Sequence, residues 1–115
     1  MWIFTTFGFF SVVQKPGTDY LTVRARTRDD LEALRARYLP TLSKTITGGG
    51  TDYPFRATVA HDELADAMLE IVRDVTYSNF KNQVQQEAGK HRAQVYGRVW
   101  TELLALEEFG GKHAI

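Results

Sequence analysis

The run from Trp2 to Val13 is apolar at most positions, and it constrains the fold more than any other feature of the chain. If the run is one strand, its side chains alternate between the two faces of a sheet. Both faces then carry large apolar groups. One set is Trp2, Phe4, Phe10 and Val12, and the other is Ile3, Phe7, Phe9 and Val13. Because one layer of helices covers only one face, the other face needs a second layer, a partner subunit or a ligand.

The composition indicates one domain of ordinary size. A chain of 115 residues buries roughly two thirds of the surface that its unfolded form exposes. The absence of cysteine excludes disulfides, thiolate nucleophiles and iron–sulfur clusters. The formal net charge is zero, so binding to nucleic acid would need a local basic patch. We expect a single α+β domain over residues 1–109, a flexible tail over residues 110–115, and no cofactor.

The amino-terminal run lacks the features of a secretory signal or a membrane span. No basic residue precedes it, and Thr5, Thr6 and Ser11 interrupt it. About a dozen residues are also too few to cross a bilayer as a helix, which takes about 20. We therefore expect a cytoplasmic protein that does not bind membranes.

Strand patterns follow the first run. Residues 15–19, Lys-Pro-Gly-Thr-Asp, have the chemistry of a turn. The next segment, Tyr20–Arg26, alternates apolar and polar residues, which is typical of a half-buried antiparallel strand. Residues 41–47 are a candidate short strand, and residues 48–52 are a loop. Tyr53–Ala60 is the fourth strand candidate.

Two helices are predicted between and after these strands. Thr27 followed by Asp30 has the spacing of a capping box, so a helix should begin there and end before Pro40. The segment Asp62–Val75 has an amphipathic pattern of helical period. Its predicted apolar side consists of Leu64, Met68, Ile71, Val72 and Val75.

The carboxy-terminal part predicts further helices. Ser78 or Asn79 can cap a short helix that ends at Gly89. The last helix is expected over Lys90–Glu108, with an apolar face that covers about half its circumference. The resulting order, ββαββαα, favours an antiparallel sheet of three or four strands with helices mainly on one face. The ferredoxin-like sheet is the nearest common form.

No catalytic template is complete in the sequence. Gly48–Gly50 lacks the lysine of a phosphate-binding loop and is better interpreted as a hairpin loop. His61, Asp62 and Glu63 are consecutive, so they point in different directions and do not converge on a metal ion. We expect no catalytic residue and no metal ligand.

Arginines occupy the polar positions of two strands, and the aromatic side chains of the first run can lie beside them. Arginine next to exposed aromatic groups occurs at protein interfaces and at sheet surfaces that bind bases and phosphates. The plain alternative is that these arginines pair with neighbouring carboxylates. The candidate interaction face comprises Trp2, Phe4, Phe9, Arg24, Arg26, Arg56 and Trp100.

Residues 77–81, Tyr-Ser-Asn-Phe-Lys, form a polar and aromatic segment between two helices. Asn79 and Lys81 could hold an anion or a peptide carbonyl near a helix start. In the structural alternative, which we favour, Tyr77 and Phe80 fix the corner, Asn79 caps the helix and Lys81 is solvated.

Three blocks of the sequence resemble those of a family of small uncharacterised bacterial proteins. They are Asp-Tyr-Pro-Phe-Arg at 52–56, Tyr-Ser-Asn-Phe-Lys at 77–81 and Arg-Ala-Gln-Val-Tyr-Gly-Arg-Val-Trp at 92–100. The family commonly has an acidic residue where this chain has Thr76. The resemblance supplies no activity, but it implies a bacterial protein in which the three blocks meet. The candidate polar cluster is Tyr53, Arg56, Tyr77, Asn79, Lys81, His91 and Arg92.

The sequence leaves three functions open. The first is a small non-enzymatic protein-interaction module, either a homodimer or a subunit that docks on a larger protein. The second is a single-stranded nucleic-acid binder that uses Arg24, Arg26 and Arg56. The third is a small-ligand protein or enzyme whose pocket is lined by the candidate polar cluster.

Overall fold

The fold is α+β, with the element order βββαββααα. The computed structural model of the protein describes residues 1–48 and 52–113, and side chains up to residue 107. The strands are β1 (Trp2–Thr5), β2 (Gly8–Val13), β3 (Leu21–Ala25), β4 (Ile46–Thr47) and β5 (Phe55–Val59). The helices are α1 (Arg28–Arg37), α2 (His61–Arg73), α3 (Phe80–Ala88) and α4 (Lys90–His113).

The chain divides into two compact units, Met1–Thr76 and Tyr77–Ile115. The first contains the sheet with α1 and α2, and the second contains α3 and α4. The single domain expected over residues 1–109 stays a prediction.

The first apolar run is a hairpin, so the prediction of one strand from Trp2 to Val13 was wrong. A turn at Thr6 and Phe7 separates β1 from β2, and Thr5 pairs with Gly8. The Thr5 hydroxyl donates to the Gly8 carbonyl at 2.7 Å and accepts from the Phe7 and Gly8 amides at 3.3 and 3.0 Å. This side chain closes the turn that the apolar pattern did not predict.

The hairpin changes which aromatic side chains share a face. Phe4 lies opposite Phe9, and Ile3 lies opposite Phe10, because paired residues in antiparallel strands point to the same side. Phe9 therefore joins Trp2 and Phe4 on one face, whereas Phe10 joins Ile3 on the other. Each face therefore carries side chains from both of the sets predicted for a continuous strand, because the turn shifts the alternation of side chains by one position.

All strand pairs are antiparallel, in the spatial order β1-β2-β3-β5-β4. The α+β class and the antiparallel sheet are confirmed. The sheet has five strands rather than three or four, because the first run supplies two. The element order also differs from the β-α-β-β-α-β order of a ferredoxin-like fold.

The core of the first unit lies on one face of this sheet. Val23 and Ala25 of β3 and Ala57 of β5 are fully buried there, as the alternating pattern predicted. The two helices of this unit supply the remaining cover, through Leu31 and Leu34 of α1 and Leu64, Ala67, Met68 and Ile71 of α2. The opposite face carries the residues of even number in β3, including Thr22 and Arg24.

The start of α1 is fixed to the β1–β2 hairpin by one carboxylate. Thr27 caps the helix by accepting from the Asp30 amide at 3.2 Å, which confirms the predicted helix start. The Asp30 side chain, only 4% exposed, accepts from the Phe9 amide at 2.9 Å. The same residue that occupies the capping-box position thus holds the second strand of the hairpin against the helix.

Only part of the predicted apolar side of α2 is buried. Leu64, Met68 and Ile71 contact the core, but Val72 and Val75 are 63% and 50% exposed. Val75 lies beyond the last residue of the helix, Arg73. The two valines share the apolar side named from the sequence but lie outside the core, because the buried stripe of α2 follows Leu64 and Ala67.

The second unit is a pair of helices joined at Gly89. The Asn79 side chain accepts from the Asn82 amide at 2.9 Å and so caps α3, and Gly89 ends that helix with a φ of 95°. Phe80 stacks on Tyr96 with ring centroids 5.9 Å apart and planes inclined by 4°. Val84 and Ala93 are buried. This contact brings the start of α3 beside the first third of α4.

Two boundaries differ from the prediction. The last helix continues to His113 rather than ending at Glu108. The flexible tail expected over residues 110–115 stays a prediction. Of the loop predicted over residues 48–52, Gly48 has a φ of 68°, which suits a turn, and residues 49–51 lie outside the described residues. Residues 114 and 115 of the predicted tail also lie outside them. None of the helices in the described part of the chain is both long and apolar enough to cross a membrane.

Substitution of Gly8 by alanine should destabilise the first unit. An added Cβ would lie 2.9 Å from the Phe10 ring and 3.0 Å from the Asp30 side chain, closer than carbon atoms pack. Asp30 would have to move away from the Phe9 amide. We expect a loss of about 1 to 3 kcal/mol in the free energy of unfolding, measured by urea denaturation.

Gly97→Ala is the matched control for this substitution. Gly97 lies inside α4, where an added Cβ would meet nothing nearer than the flexible end of Lys81 at 3.8 Å. Alanine should stabilise the helix there by up to about 1 kcal/mol. Equal unfolding midpoints for Gly8→Ala and the wild type would contradict the close approach at the hairpin.

The Asn79 cap gives a second stability prediction. Asn79→Ala removes the acceptor of the Asn82 amide and should cost about 1 kcal/mol, whereas Asn79→Ser retains an acceptor and should cost much less. Thermal unfolding followed by circular dichroism at 222 nm compares the two variants. Equal losses for alanine and serine would show that Asn79 contributes something other than a cap.

Candidate interaction surfaces

One row of residues crosses the sheet on the face opposite the core. Trp2 of β1 pairs with Ser11, Ser11 pairs with Arg24, and Arg24 pairs with Arg56 of β5. Because neighbouring strands lie about 4.8 Å apart, the backbone positions of this row span about 14 Å. An aromatic side chain thus lies at the edge strand, and two arginines lie directly opposite each other in the middle of the sheet.

Tyr53 is the centre of the arginine cluster, which we define as Arg24, Arg26, Arg56 and Tyr53. The Arg26 guanidinium lies 4.2 Å from the centre of the Tyr53 ring, and the Arg24 guanidinium lies 4.7 Å from it. The Tyr53 residue is only 5% exposed. Such contacts attract a cation to the electron-rich face of an aromatic ring. Tyr53 therefore holds two arginine side chains together although their charges repel.

The hydrogen-bond partners of these arginines are neutral. Arg24 donates to the Ser11 hydroxyl at 2.7 Å, Arg26 donates to the Asp52 carbonyl, and Arg56 reaches the Tyr53 carbonyl at 3.5 Å. No carboxylate of the described residues forms an ion pair with any of the three. The Nε atoms of Arg24 and Arg56 are buried and have no hydrogen-bond partner within the described chain. The alternative that these arginines pair with neighbouring carboxylates was wrong for this part of the chain.

Aromatic rings continue from the cluster to the edge of the sheet. Phe9 lies 6.5 Å from Tyr53, and Phe4 lies 4.6 Å from Phe9. Trp2 meets the edge of Phe9 at a centroid distance of 5.6 Å and is 67% exposed. These distances are typical of aromatic pairs. The four rings and the arginines form one continuous set of contacts on this side of the sheet.

The structure thus brings together most of the candidate interaction face. Six of its seven residues lie on or beside the same face of the sheet, namely Trp2, Phe4, Phe9, Arg24, Arg26 and Arg56. Trp100 lies on α4, in the second unit.

The candidate polar cluster is divided between the units. Tyr53 and Arg56 belong to the first unit, and the remaining members belong to the second. In the second unit, Asn79 acts as a helix cap and the Tyr77 ring packs against Phe80 at 6.1 Å. These contacts fit the structural interpretation of this segment. Lys81 is exposed and lies beside Gly97.

The two remaining members of this cluster lie at the start of α4. His91 is exposed. Arg92 is half-buried, and its guanidinium lies 5.8 Å from the centre of the Tyr96 ring and 3.4 Å from the Tyr96 hydroxyl. Arg92 therefore packs on its own helix one turn away. The meeting of the three family blocks stays a prediction.

A second candidate surface lies on α4, on the part of the helix that α3 does not cover. Ala93, Tyr96, Trp100, Leu103 and Leu104 share one side of the helix, because residues three and four apart lie one above the other. The first two are buried, at 1% and 8% exposure. The later three are exposed by 66%, 53% and 39%, and neighbouring Leu106 by 68%. We call Trp100, Leu103, Leu104 and Leu106 the distal stripe.

The cavity found in the first unit is too small for a substrate. A cavity of about 10 Å³ lies in the core of the first unit, between Ile3, Phe10, Leu64 and Met68. This volume accommodates about one water molecule. No member of the candidate polar cluster lines it. Within the described residues, no three His, Asp or Glu side chains are grouped so that they could hold a metal ion.

Two features of the structure were not predicted from the sequence. Tyr53 was assigned to the polar cluster, whereas its ring lies under Arg24 and Arg26. The turn signals around Pro54 gave no indication of this contact. The exposure of Leu69, Val72 and Val75 on and after α2 was also missed, because their helical spacing resembles that of core residues.

Comparisons with known proteins do not identify a function for this chain. No family model, no curated protein and no solved structure matches the chain. The resemblance to a family of small bacterial proteins therefore stays a prediction. Any function must be argued from the arginine cluster, the aromatic rings beside it and the distal stripe.

Proposed function

We propose that this protein is a small non-enzymatic protein-interaction module. In this proposal it acts in the bacterial cytoplasm, and its principal binding surface is the distal stripe of α4. The observation that supports the proposal best is that four large apolar side chains on one helix are exposed by 39% to 68%. Contiguous exposed apolar groups on a soluble domain commonly mark a site of protein association.

The length of α3 explains why the distal stripe is exposed. α3 has 9 residues and α4 has 24, so at 1.5 Å per residue their lengths are about 14 and 36 Å. Phe80, the first residue of α3, already lies against Tyr96. The helix that covers Ala93 and Tyr96 therefore begins too late in the chain to cover Trp100. The apolar side of α4 continues without interruption from the covered half to the uncovered half.

The charges along α4 favour a second copy of the chain as the partner. Lys90, Arg92 and Arg98 lie in the first half of the helix, and the second half has three glutamates, Glu102, Glu107 and Glu108, against one lysine, Lys112. Two copies of α4 packed antiparallel would bring the basic half of each beside the acidic half of the other. Such an isologous contact is the commonest arrangement in homodimers. The distal stripe would supply the apolar centre of this contact.

Docking on a larger protein is the other form of the same proposal. The sheet face then contributes a second contact area, because Arg, Trp and Phe are enriched at the centres of interfaces. Trp2 at the edge strand would be an exposed anchor.

A charge placed in the distal stripe tests the proposal. Leu103 is 53% exposed, so Leu103→Glu should leave the folded chain intact yet disrupt an apolar interface. We expect sedimentation equilibrium to give twice the 13.1 kDa chain mass for the wild type and the mass of one chain for Leu103→Glu. The dissociation constant should rise by at least about tenfold, since a charge would replace an apolar contact.

Ala105→Glu is the matched control. Ala105 is exposed on α4 but lies on the side of the helix away from Trp100 and Leu103, so it should not alter the mass. If the wild type is a monomer, the docking form of the proposal is tested instead. Capture of a defined protein should then be lost with Leu103→Glu and retained with Ala105→Glu. If the wild type is a monomer and all three chains capture the same proteins, the distal stripe has no role in binding.

A further inference from the structure

The arginine cluster holds positive charge that the described chain does not neutralise. Arg24 and Arg56 are direct cross-strand partners on one face of β3 and β5. Like charges directly opposite each other destabilise a sheet. Arg26 adds a third guanidinium over the same Tyr53 ring. Within the described residues, no carboxylate pairs with any of them. The cluster therefore carries an electrostatic cost that a bound anion would remove.

The geometry of the cluster suits an oxyanion with several oxygens. A guanidinium presents its N–H donors in a planar fork that matches phosphate, and it remains charged at any ordinary pH. Arg24 uses one of these donors on Ser11, and Arg56 has only a long contact of 3.5 Å to the Tyr53 carbonyl. Tyr53 limits the movement of Arg24 and Arg26, so the donors are held in position before a ligand arrives.

The aromatic rings beside the cluster point to a ligand that also carries bases. Trp2 belongs to the same cross-sheet row as Arg24 and Arg56 and is 67% exposed. Bases of single-stranded nucleic acid stack on aromatic side chains, and arginines beside those rings hold the backbone. An acidic peptide would use the charges but would gain less from Trp2.

We propose that Arg24, Arg26 and Arg56 form a phosphate-binding site for single-stranded nucleic acid, with Trp2 as the stacking surface for a base. The site lies wholly within the first unit. It is independent of the distal stripe on α4, so either proposal can fail while the other stands. Because the net charge of the chain is zero, attraction to phosphate needs a local basic patch such as this one.

Fluorescence anisotropy with labelled 20-nucleotide poly(dT) and poly(U) tests the site. Contact with three phosphates gives a salt slope of about −2, so the affinity should fall about 20-fold between 50 and 200 mM salt. Arg56→Gln should weaken binding at least tenfold at low salt and reduce the magnitude of the slope by about 0.7. Trp2→Ala should weaken binding by about tenfold without changing the slope, since stacking releases no counterions.

Arg73→Gln is the matched control, because it removes one positive charge from α2, where Arg73 already pairs with Glu70 at 3.1 Å. It should leave binding unchanged. Thermal unfolding at low salt adds a second reading. Arg56→Gln should be at least as stable as the wild type, since it removes a repulsive pair. If that variant unfolds instead, Trp2→Ala still tests the site, because Trp2 is exposed.

Three results would overturn the proposal. The first is the absence of binding to either oligonucleotide at 50 mM salt. The second is binding that Arg56→Gln and Arg73→Gln weaken equally, which would indicate attraction to general charge. The third is competition by polyglutamate as effective as that by unlabelled poly(dT), which would identify an acidic protein segment as the ligand. In the first case, stabilisation of the fold by inorganic phosphate would identify a small phosphate ligand instead of nucleic acid.

Discussion

The contact of Asp30 with the β1–β2 hairpin determines the layout of the first unit. Its carboxylate accepts from the Phe9 amide, and its own amide is held by the Thr27 cap. Gly8 allows this approach, because a Cβ there would collide with Asp30. The turn between Thr5 and Gly8 sets the register of the hairpin. A shift of one residue would move Phe9 from the arginine face into the core and Phe10 out of it.

This constraint explains why the first run is apolar on both sides. One side supplies Ile3, Phe10 and Val12 to the core. The other supplies the rings that lead from Trp2 to Tyr53. The sequence pattern correctly indicated apolar side chains on both faces, but it assigned some of them to the wrong face. The turn at Thr6 and Phe7 has no Asn-Gly or Asp-Gly signal, and the Thr5 hydroxyl that closes it acts through local hydrogen bonds.

Local chemistry made the helices easier to predict than the strands. Thr27 and Asn79 cap their helices as expected, and Gly89 ends α3 because its φ of 95° suits glycine. The sheet face was also largely predictable. Alternation along β3 and β5 places Arg24 and Arg56 on the side away from the core. The sequence did not predict that Arg24 and Arg56 lie directly opposite each other, since the register of β3 and β5 depends on the length of the connection through α1 and β4.

The position of Tyr53 shows where sequence reasoning reaches its limit. Tyr53 precedes β5, outside the paired residues, so no alternation rule assigns it to a face. In the structure it joins the arginines to the aromatic rings, because it contacts Arg24, Arg26 and Phe9. Each such contact is worth roughly 0.5 to 2 kcal/mol, depending on how far it is desolvated, so Tyr53 opposes the repulsion between its two cations without neutralising their charge.

The distal stripe has a different physical origin, which lies in the lengths of two helices. The apolar spacing along α4 is the same before and after residue 97, so the sequence correctly indicated a wide apolar side. Exposure depends on where α3 begins, and Asn79 sets that point by capping the helix at Phe80. A cap one turn earlier would extend α3 by about 5 Å and bring it toward Trp100. The position of this cap therefore determines how much of the apolar side of α4 stays exposed.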